Sequence, residues 1–319
     1  MDEFALIDRY FASARCAQGD PAVAVGIGDD CALLELAPGE QLAVSTDTLV
    51  AGRHFPVDCA GADLGQRALA VSASDLAAVG AEPIGFTLAL TLPSADENWL
   101  AGLAQGLDSM ASRCGMALLG GDTCQGPLTL TLTVLGRLPR GQGLLRSGAR
   151  PGDWVCVSGG LGEAAAALEL VLAQREVAQP LARRLLERYW SPQPQLALGQ
   201  QLRGRASAAL DISDGLLADL GHIAKASGVA IWIDADQVPV AADLAVAWGP
   251  DRALELALGG GDDYQLAFTV AAEQWPGLQR DFPQLRRIGV VQAGAPGVHL
   301  RDAQGRQLSV PRIGYRHRW

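Results

Sequence analysis

The stretch LTLTLTVLGRL (128–138) alternates Thr with Leu or Val, and a period-2 pattern of this kind buries its apolar row as a strand in a sheet. That fixes the class of fold, because IGFTLALTL (84–92) is a second strand of similar length and 97–115 between them has the spacing of an amphipathic helix. Residues 2–15 read as a helix with Phe4, Ile7 and Phe11 near helical spacing. Residues 41–50 read as a strand running into a polar loop, and 64–81 as a helix with small residues on one side, closed by glycine. The Gly- and Pro-punctuated segment 146–170 marks a domain junction. It holds a short strand, DWVCVSG, then a glycine loop and an alanine-rich helix. A second strand–loop–helix series follows, AALDISDGLLADLGHIAKASG, with strands at VAIWIDADQVPV, 263–270 and 288–291. Strands alternating with helices in both halves predict an α/β or α+β protein, and 319 residues suit two domains better than one core.

Bulk properties exclude several functions. A net charge of −10 argues against nucleic acid or an anionic membrane as partner, since either needs a basic face. No run approaches the roughly 18 apolar residues of a membrane span, and MDEFALIDRYFASAR has acids where a signal peptide carries bases. The six cysteines form no C-x-x-C pair and no zinc spacing, so they read as reduced thiols of a cytoplasmic protein. Lys225 is the single lysine of the chain, with no G-x-x-x-x-G-K-[ST] before it. P-loop and protein-kinase sites, which both set a lysine on the phosphates, are thereby excluded. Any nucleotide must be held by arginine, backbone amides and metal.

Carboxylates recur in small-residue stretches: GDD (28–30), STDT (45–48), SASD (72–75), LGGDT (119–123), DISDG (211–215) and GGGDD (259–263). Each alone reads as a turn or a helix N-cap. Six of them, read as loops at strand ends, point to a ligand site. Abundant Asp with flanking Ser and Thr, and no Cys/His cluster, suits Mg²⁺ rather than zinc. No D-x-[DN]-x-[DN]-G calcium loop is present. SGGLGEAAAALEL lacks the G-x-G-x-x-G spacing and reads as a tight turn packing a helix on its sheet. Arg146 is a candidate for a nucleotide phosphate, and His54 is the histidine close to a carboxylate cluster. His222 and His299 read as structural. Trp319, the last residue, could stack on a flat ring.

The ordered set GDDCA, STDTLVAGRHF, ALAVSASDLAAVGAEP, LLGGDT, RSGARPGD, LDISDGL and GGDDYQL resembles the thiamine-monophosphate kinases, of the aminoimidazole ribonucleotide synthetase-like superfamily. The resemblance runs from about residue 4 to the last residue. It implies two α/β domains, 1–148 for metal and ATP binding and dimerisation, and 149–319 completing the substrate site. The N-terminal sheet would pair across a homodimer. The implied reaction is direct in-line transfer from ATP to thiamine phosphate, assisted by several Mg²⁺ ions, giving thiamine diphosphate. By the same resemblance Asp30, Ser45, Thr46, Asp47, Asp75, Asp122, Asp211 and Asp214 are expected to hold metal. Gly121, Asp122, Arg146 and Ser213 are expected to contact ATP, and His54, Asp262 and Trp319 thiamine phosphate. No dedicated general base is implied. Two departures stand out: Asp262 replaces the family's Glu, and the chain ends GYRHRW where the family's ending resembles GYDHF. Asp30 is favoured over the adjacent Asp29. Other ATP-using members of the superfamily, and a non-catalytic nucleotide or metal sensor, are the alternatives. Against the first group, Cys16 lacks the glycine-rich setting of a selenium enzyme and RHRW lacks a terminal cysteine.

Overall fold

The computed structural model describes residues 3–17, 20–28, 30–309 and 314, so Asp29 and Trp319 lie outside the described residues. The chain divides into two compact units. One comprises Met1–Leu76, Ala81–Gly141 and Trp190–Leu196, and the other Ala77–Gly80, Gln142–Tyr189 and Ala197–Trp319.

In the first unit α1 (Glu3–Leu6) runs on into a π-helical turn (Ile7–Ala12) and a 3-10 turn (Arg15–Ala17). A short hairpin, β1 (Val23–Val25) and β2 (Leu33–Leu34), follows. The body is formed by β3 (Glu40–Val50), α2 (Gly61–Val79), β4 (Glu82–Leu92), α3 (Glu97–Cys114), β5 (Ala117–Gln125) and β6 (Thr129–Pro139). The four strands form one sheet in the order β3-β6-β4-β5, with β4 and β5 parallel and the other pairs antiparallel. The alternation in β6 does what its period demands: Leu130, Leu132, Val134 and Leu138 are buried, while Thr129, Thr131 and Thr133 face outward and are half-buried. Asp96 caps α3 by accepting the Trp99 N–H at 2.8 Å, and Gly115 ends the helix in the left-handed conformation.

Three of the six acidic stretches are not loops. STDT lies within β3, SASD within α2 and LGGDT within β5. Two of these strands are sheet edges, where one row of side chains meets solvent, so polar and small residues are tolerated inside the strand. In α2 the run of Ala and Ser is a buried helix face.

The second unit contains β7 (Trp154–Val157), α4 (Glu163–Val171), α5 (Gln179–Trp190), α6 (Leu196–Leu202), β8 (Ala206–Asp211), α7 (Leu216–Ser227) and β9 (Ala230–Asp234). It continues with α8 (Ala242–Trp248), α9 (Pro250–Gly259), β10 (Leu266–Val270), α10 (Trp275–Asp281), β11 (Arg286–Gln292), β12 (Gly297–Arg301) and β13 (Gln307–Leu308). The seven strands are ordered β13-β12-β9-β11-β7-β10-β8, and only β9 and β12 pair in parallel. Alternation of strand and helix along the chain therefore produces a mostly antiparallel sheet, the α+β branch of the expected class. Val155, Val157, Leu210, Ile231 and Ile233 from the strands meet Leu220 and Ile223 of α7 in its core.

Candidate functional site

The sequence-predicted residues fall into three local groups. The first is where α2 crosses the inner face of β3. Alternation along β3 turns Ser45 and Asp47 to the face that also carries buried Leu49, and the Ser45 hydroxyl donates to Oδ2 of Asp75 on α2. Burial, and then the charge of Asp75, push the Asp47 carboxyl up to about 6. Two neighbouring carboxylates with hydroxyl oxygen beside them are the all-oxygen donor chemistry of a hard divalent cation, so these residues fit Mg²⁺. Thr46 points the other way. Its Oγ1 lies 2.9 Å from Oγ1 of Thr133 on the open face, where Thr48 and Thr131 repeat the pairing at 2.9 Å. Just past β3, His54 accepts the Val50 N–H on Nδ1 at 3.0 Å, which leaves the ring proton on Nε2.

The second group lines a cavity of about 680 Å³ alongside β5. Asp30, Gly121 and Asp122 are in its wall, together with Thr87, Leu118 and Phe11. Gly121 is required there, because a Cβ would stand 1.9 Å from the Leu88 carbonyl oxygen of the neighbouring strand. Asp122 pairs in register with Ala89, and so shares its face of the sheet.

The third group is in the second unit, where the loop after β8 meets the loop before β10. The Asp262 N–H donates to the Ser213 carbonyl at 2.9 Å, and the Tyr264 N–H to the Ile212 carbonyl at 2.9 Å. Asp211 is buried at the end of β8, next to these contacts. Gly261 permits the approach, since its Cβ would fall 2.6 Å from the Ser213 carbonyl oxygen. Asp262 and Tyr264 both sit at positive φ, 61° and 48°, and the Tyr264 hydroxyl donates to Oδ1 of Asp262 at 3.0 Å. Gly314 lies against Asp214 and Ala218. Arg146 is exposed, and its carbonyl accepts from the Ser227 hydroxyl, which in turn accepts the Gly148 and Ala149 N–H groups at 3.1 Å. Among the described residues no three or more His, Cys, Asp or Glu side chains gather as one metal-holding group. The expected metal set is thus distributed over these local groups.

Two carboxylates have no role of their own in the sequence reading. Oδ2 of Asp219, in the first turn of α7, accepts the backbone N–H groups of Ser213, Asp214 and Gly215 at 3.0–3.1 Å and so shapes the DISDG loop. Burial first, and the Asp214 charge second, raise its pKa to about 7 against those three donors. Asp263 is half-buried and takes the Gly162 N–H on both oxygens at 3.0 Å, holding the glycine turn at the start of α4. Burial lifts this carboxyl to about 8. The available signal was an acid in the first helical turn after a glycine for Asp219. For Asp263 the signal was its place in GGGDD (259–263), where the sequence reading favours Asp262 instead.

Residues 28–138 match the family of AIR synthase related protein, N-terminal domain, and residues 150–299 match AIR synthase related protein, C-terminal domain. The chain is similar to the thiamine-monophosphate kinase of Salmonella typhimurium, with 49% identity over 269 residues, covering 84% of this chain and 82% of the relative. The crystal structure of thiamine-monophosphate kinase from Stenotrophomonas maltophilia superposes with a TM-score of 0.85 at 45% identity, covering 94% of this chain and 96% of that one. AaThiL complexed with AMPPCP and TMP superposes with a TM-score of 0.79 at 32% identity, covering 91% of each chain.

Proposed function

This chain belongs to the thiamine-monophosphate kinase family and is an ATP-dependent kinase, and from that premise we propose how its own residues carry the transfer from ATP to thiamine phosphate. The reading rests above all on the Asp47–Asp75–Ser45 group, an all-oxygen donor set in which burial first and the Asp75 charge second raise the Asp47 carboxyl to about 6. Mg²⁺, when bound, supplies the charge neutralisation that lets two polyanionic phosphates approach. Several Mg²⁺ ions are called for: Asp30, Ser45, Thr46, Asp47, Asp75 and Asp122 would hold metal in the N-terminal half, and Asp211 and Asp214 would hold metal in the C-terminal half. Thr46 contributes through its main chain, since its hydroxyl is paired with Thr133 on the other face of β3.

Gly121 lets the nucleotide come close to β5, and Asp122 works beside it. Arg146 and Ser213 contact ATP. An exposed guanidinium suits phosphate in a chain with a single lysine elsewhere. His54 offers Nε2–H to the thiamine phosphate, its other nitrogen being occupied by the Val50 amide. Asp262, steadied by the Tyr264 hydroxyl, suits the cationic part of thiamine, with Trp319 against a ring. No residue needs to remove a proton from the acceptor, because a phosphate is already ionised at neutral pH. Residues 1–148 form the metal- and ATP-binding half and 149–319 the other, a division supported by family matches that stop at 138 and resume at 150.

A homodimer is proposed as well. β3 pairs with β6 alone among the described strands, and its free edge carries exposed Leu42 and Val44. No described helix is long and apolar enough to cross a membrane, and all six cysteines are free, which supports a cytoplasmic location. The test is incubation with MgATP and thiamine phosphate, with thiamine as control acceptor and chromatography for thiamine diphosphate. Product from the monophosphate alone is expected. Its absence from a folded protein would overturn the reading.

A further inference from the structure

Successive backbone N–H groups turned towards one point make an anion nest, a device by which proteins hold phosphate. The turn from β8 into α7 has that form. Its Ser213, Asp214 and Gly215 N–H groups converge on a single atom at 3.1, 3.1 and 3.0 Å. That atom belongs to the chain itself: it is Oδ2 of Asp219, a buried side chain in the first turn of the helix. The nest is filled from within.

The turn is also held from its other side. The carbonyls of Ile212 and Ser213 accept the Tyr264 and Asp262 N–H groups, both at 2.9 Å. Gly215 sits at φ 122°, and a Cβ there would stand 2.9 Å from the main chain of Gly259. With these amides turned inward, the turn offers side-chain oxygen outward: Ser213 is exposed and Asp214 half-buried. A phosphate arriving here meets none of the three amides. A cation meets carboxylate and hydroxyl oxygen, the donors that a hard divalent ion prefers.

Resting on the assignment of Asp214 to metal and of Ser213 to ATP, we infer that Asp219 is a positioning residue for the transfer. Its carboxylate fills the nest and presets the turn before any ligand arrives. Asp214 and Ser213 therefore act through side-chain oxygen and not through main-chain amides.

The experiment follows amide hydrogen exchange over 211–217 in the full chain, with Mg²⁺ affinity by calorimetry and rates at varied Mg²⁺. In the wild type the amides of 213–215 should exchange about a hundredfold more slowly than in an open chain, with or without Mg²⁺. Protection that appears only once Mg²⁺ is added overturns the inference, and this result does not depend on any variant. Asp219→Asn keeps the size of the side chain and an oxygen acceptor, so it keeps the fold, which thermal unfolding checks. Its amide oxygen accepts only about half as strongly as a carboxylate. Exchange in the turn should quicken about tenfold and Mg²⁺ should bind about tenfold more weakly. The half-saturating Mg²⁺ concentration should rise alike, while kcat at saturating Mg²⁺ stays within about threefold of wild type. A merely structural carboxylate would lower the unfolding temperature and leave Mg²⁺ affinity at the wild-type value, and that result also overturns the inference. Failure of the kinase reading would look different: the protection and its loss in Asp219→Asn as described, but no thiamine diphosphate from the wild type.

Discussion

At the residue scale the chemistry concentrates on Asp47. Its carboxyl is held at about 6 by burial and by Asp75, so a proton occupies it below that pH. A carboxylate must be ionised to bind a cation. The sign follows: the proton competes on the acid side, and the Mg²⁺ concentration giving half-maximal rate should rise as pH falls through about 6, by roughly tenfold per pH unit for one displaced proton. Titration of the rate with Mg²⁺ between pH 5.5 and 8 reads this directly, and a flat profile would remove Asp47 from the metal set. Asp47→Asn should lower the rate by several orders of magnitude by disturbing charge neutralisation between phosphates. A near-wild-type rate would have the same consequence as the flat profile.

What was legible at this scale was residue type and order. Asp next to Gly or Ser reads as oxygen chemistry, so Asp75 and Asp214 are expected as metal ligands from sequence. Contact between distant segments was not legible. Asp263 is followed by a tyrosine and preceded by an acid, and nothing in GGGDDYQL says that its oxygens close on Gly162, a hundred residues earlier in the chain. Thr46 shows the converse limit. Its neighbours Ser45 and Asp47 turn inward, and only the register of β3 with β6 reveals that Thr46 turns to Thr133.

At the scale of elements, the pairing of α2 with α3 shows how composition becomes geometry. Glycines at 61, 65 and 106 are places where backbone meets backbone: a Cβ on Gly61 would stand 2.2 Å from the Trp99 carbonyl oxygen, on Gly65 2.5 Å from that of Leu103, and on Gly106 2.1 Å from that of Ala62. The obstacle at each is main chain, which cannot rotate aside. Gly106→Ala should therefore destabilise the protein by about 1–3 kcal/mol, the cost of overpacking a close-packed interior, despite alanine's higher helix propensity. Thermal unfolding of this variant against Gly102→Ala makes the comparison, because a Cβ at 102 approaches no closer than 3.2 Å. If both variants unfold at the wild-type temperature, the two helices are not in the contact described. The helices themselves were readable from period and caps, and so were β4 and β6. The short elements β1, β2, β12 and β13 were not, since two to five residues give too little pattern to separate strand from loop.

At the scale of the whole molecule, β3 leaves a debt that the single chain does not settle. It is an 11-residue edge strand bonded to β6 on one side only among the described strands, with Leu42 44% and Val44 57% exposed. A long edge with apolar side chains invites pairing with another strand, and soluble proteins usually shield such edges with charge, proline or a bulge. Here the open face instead carries the threonine pairs Thr46–Thr133 and Thr48–Thr131, which order the surface without charging it. A second copy of the same strand is the simplest cover, because a two-fold axis presents the same patch to itself. Val44→Glu would set like charges against each other across that axis and leave the inner-face residues Ser45 and Asp47 untouched. Sedimentation equilibrium should then show a dimer for the wild type and a monomer for Val44→Glu, with helix content unchanged by circular dichroism. A wild-type monomer at micromolar concentration, or a variant that remains dimeric, would mean that this edge is covered by something other than its twin.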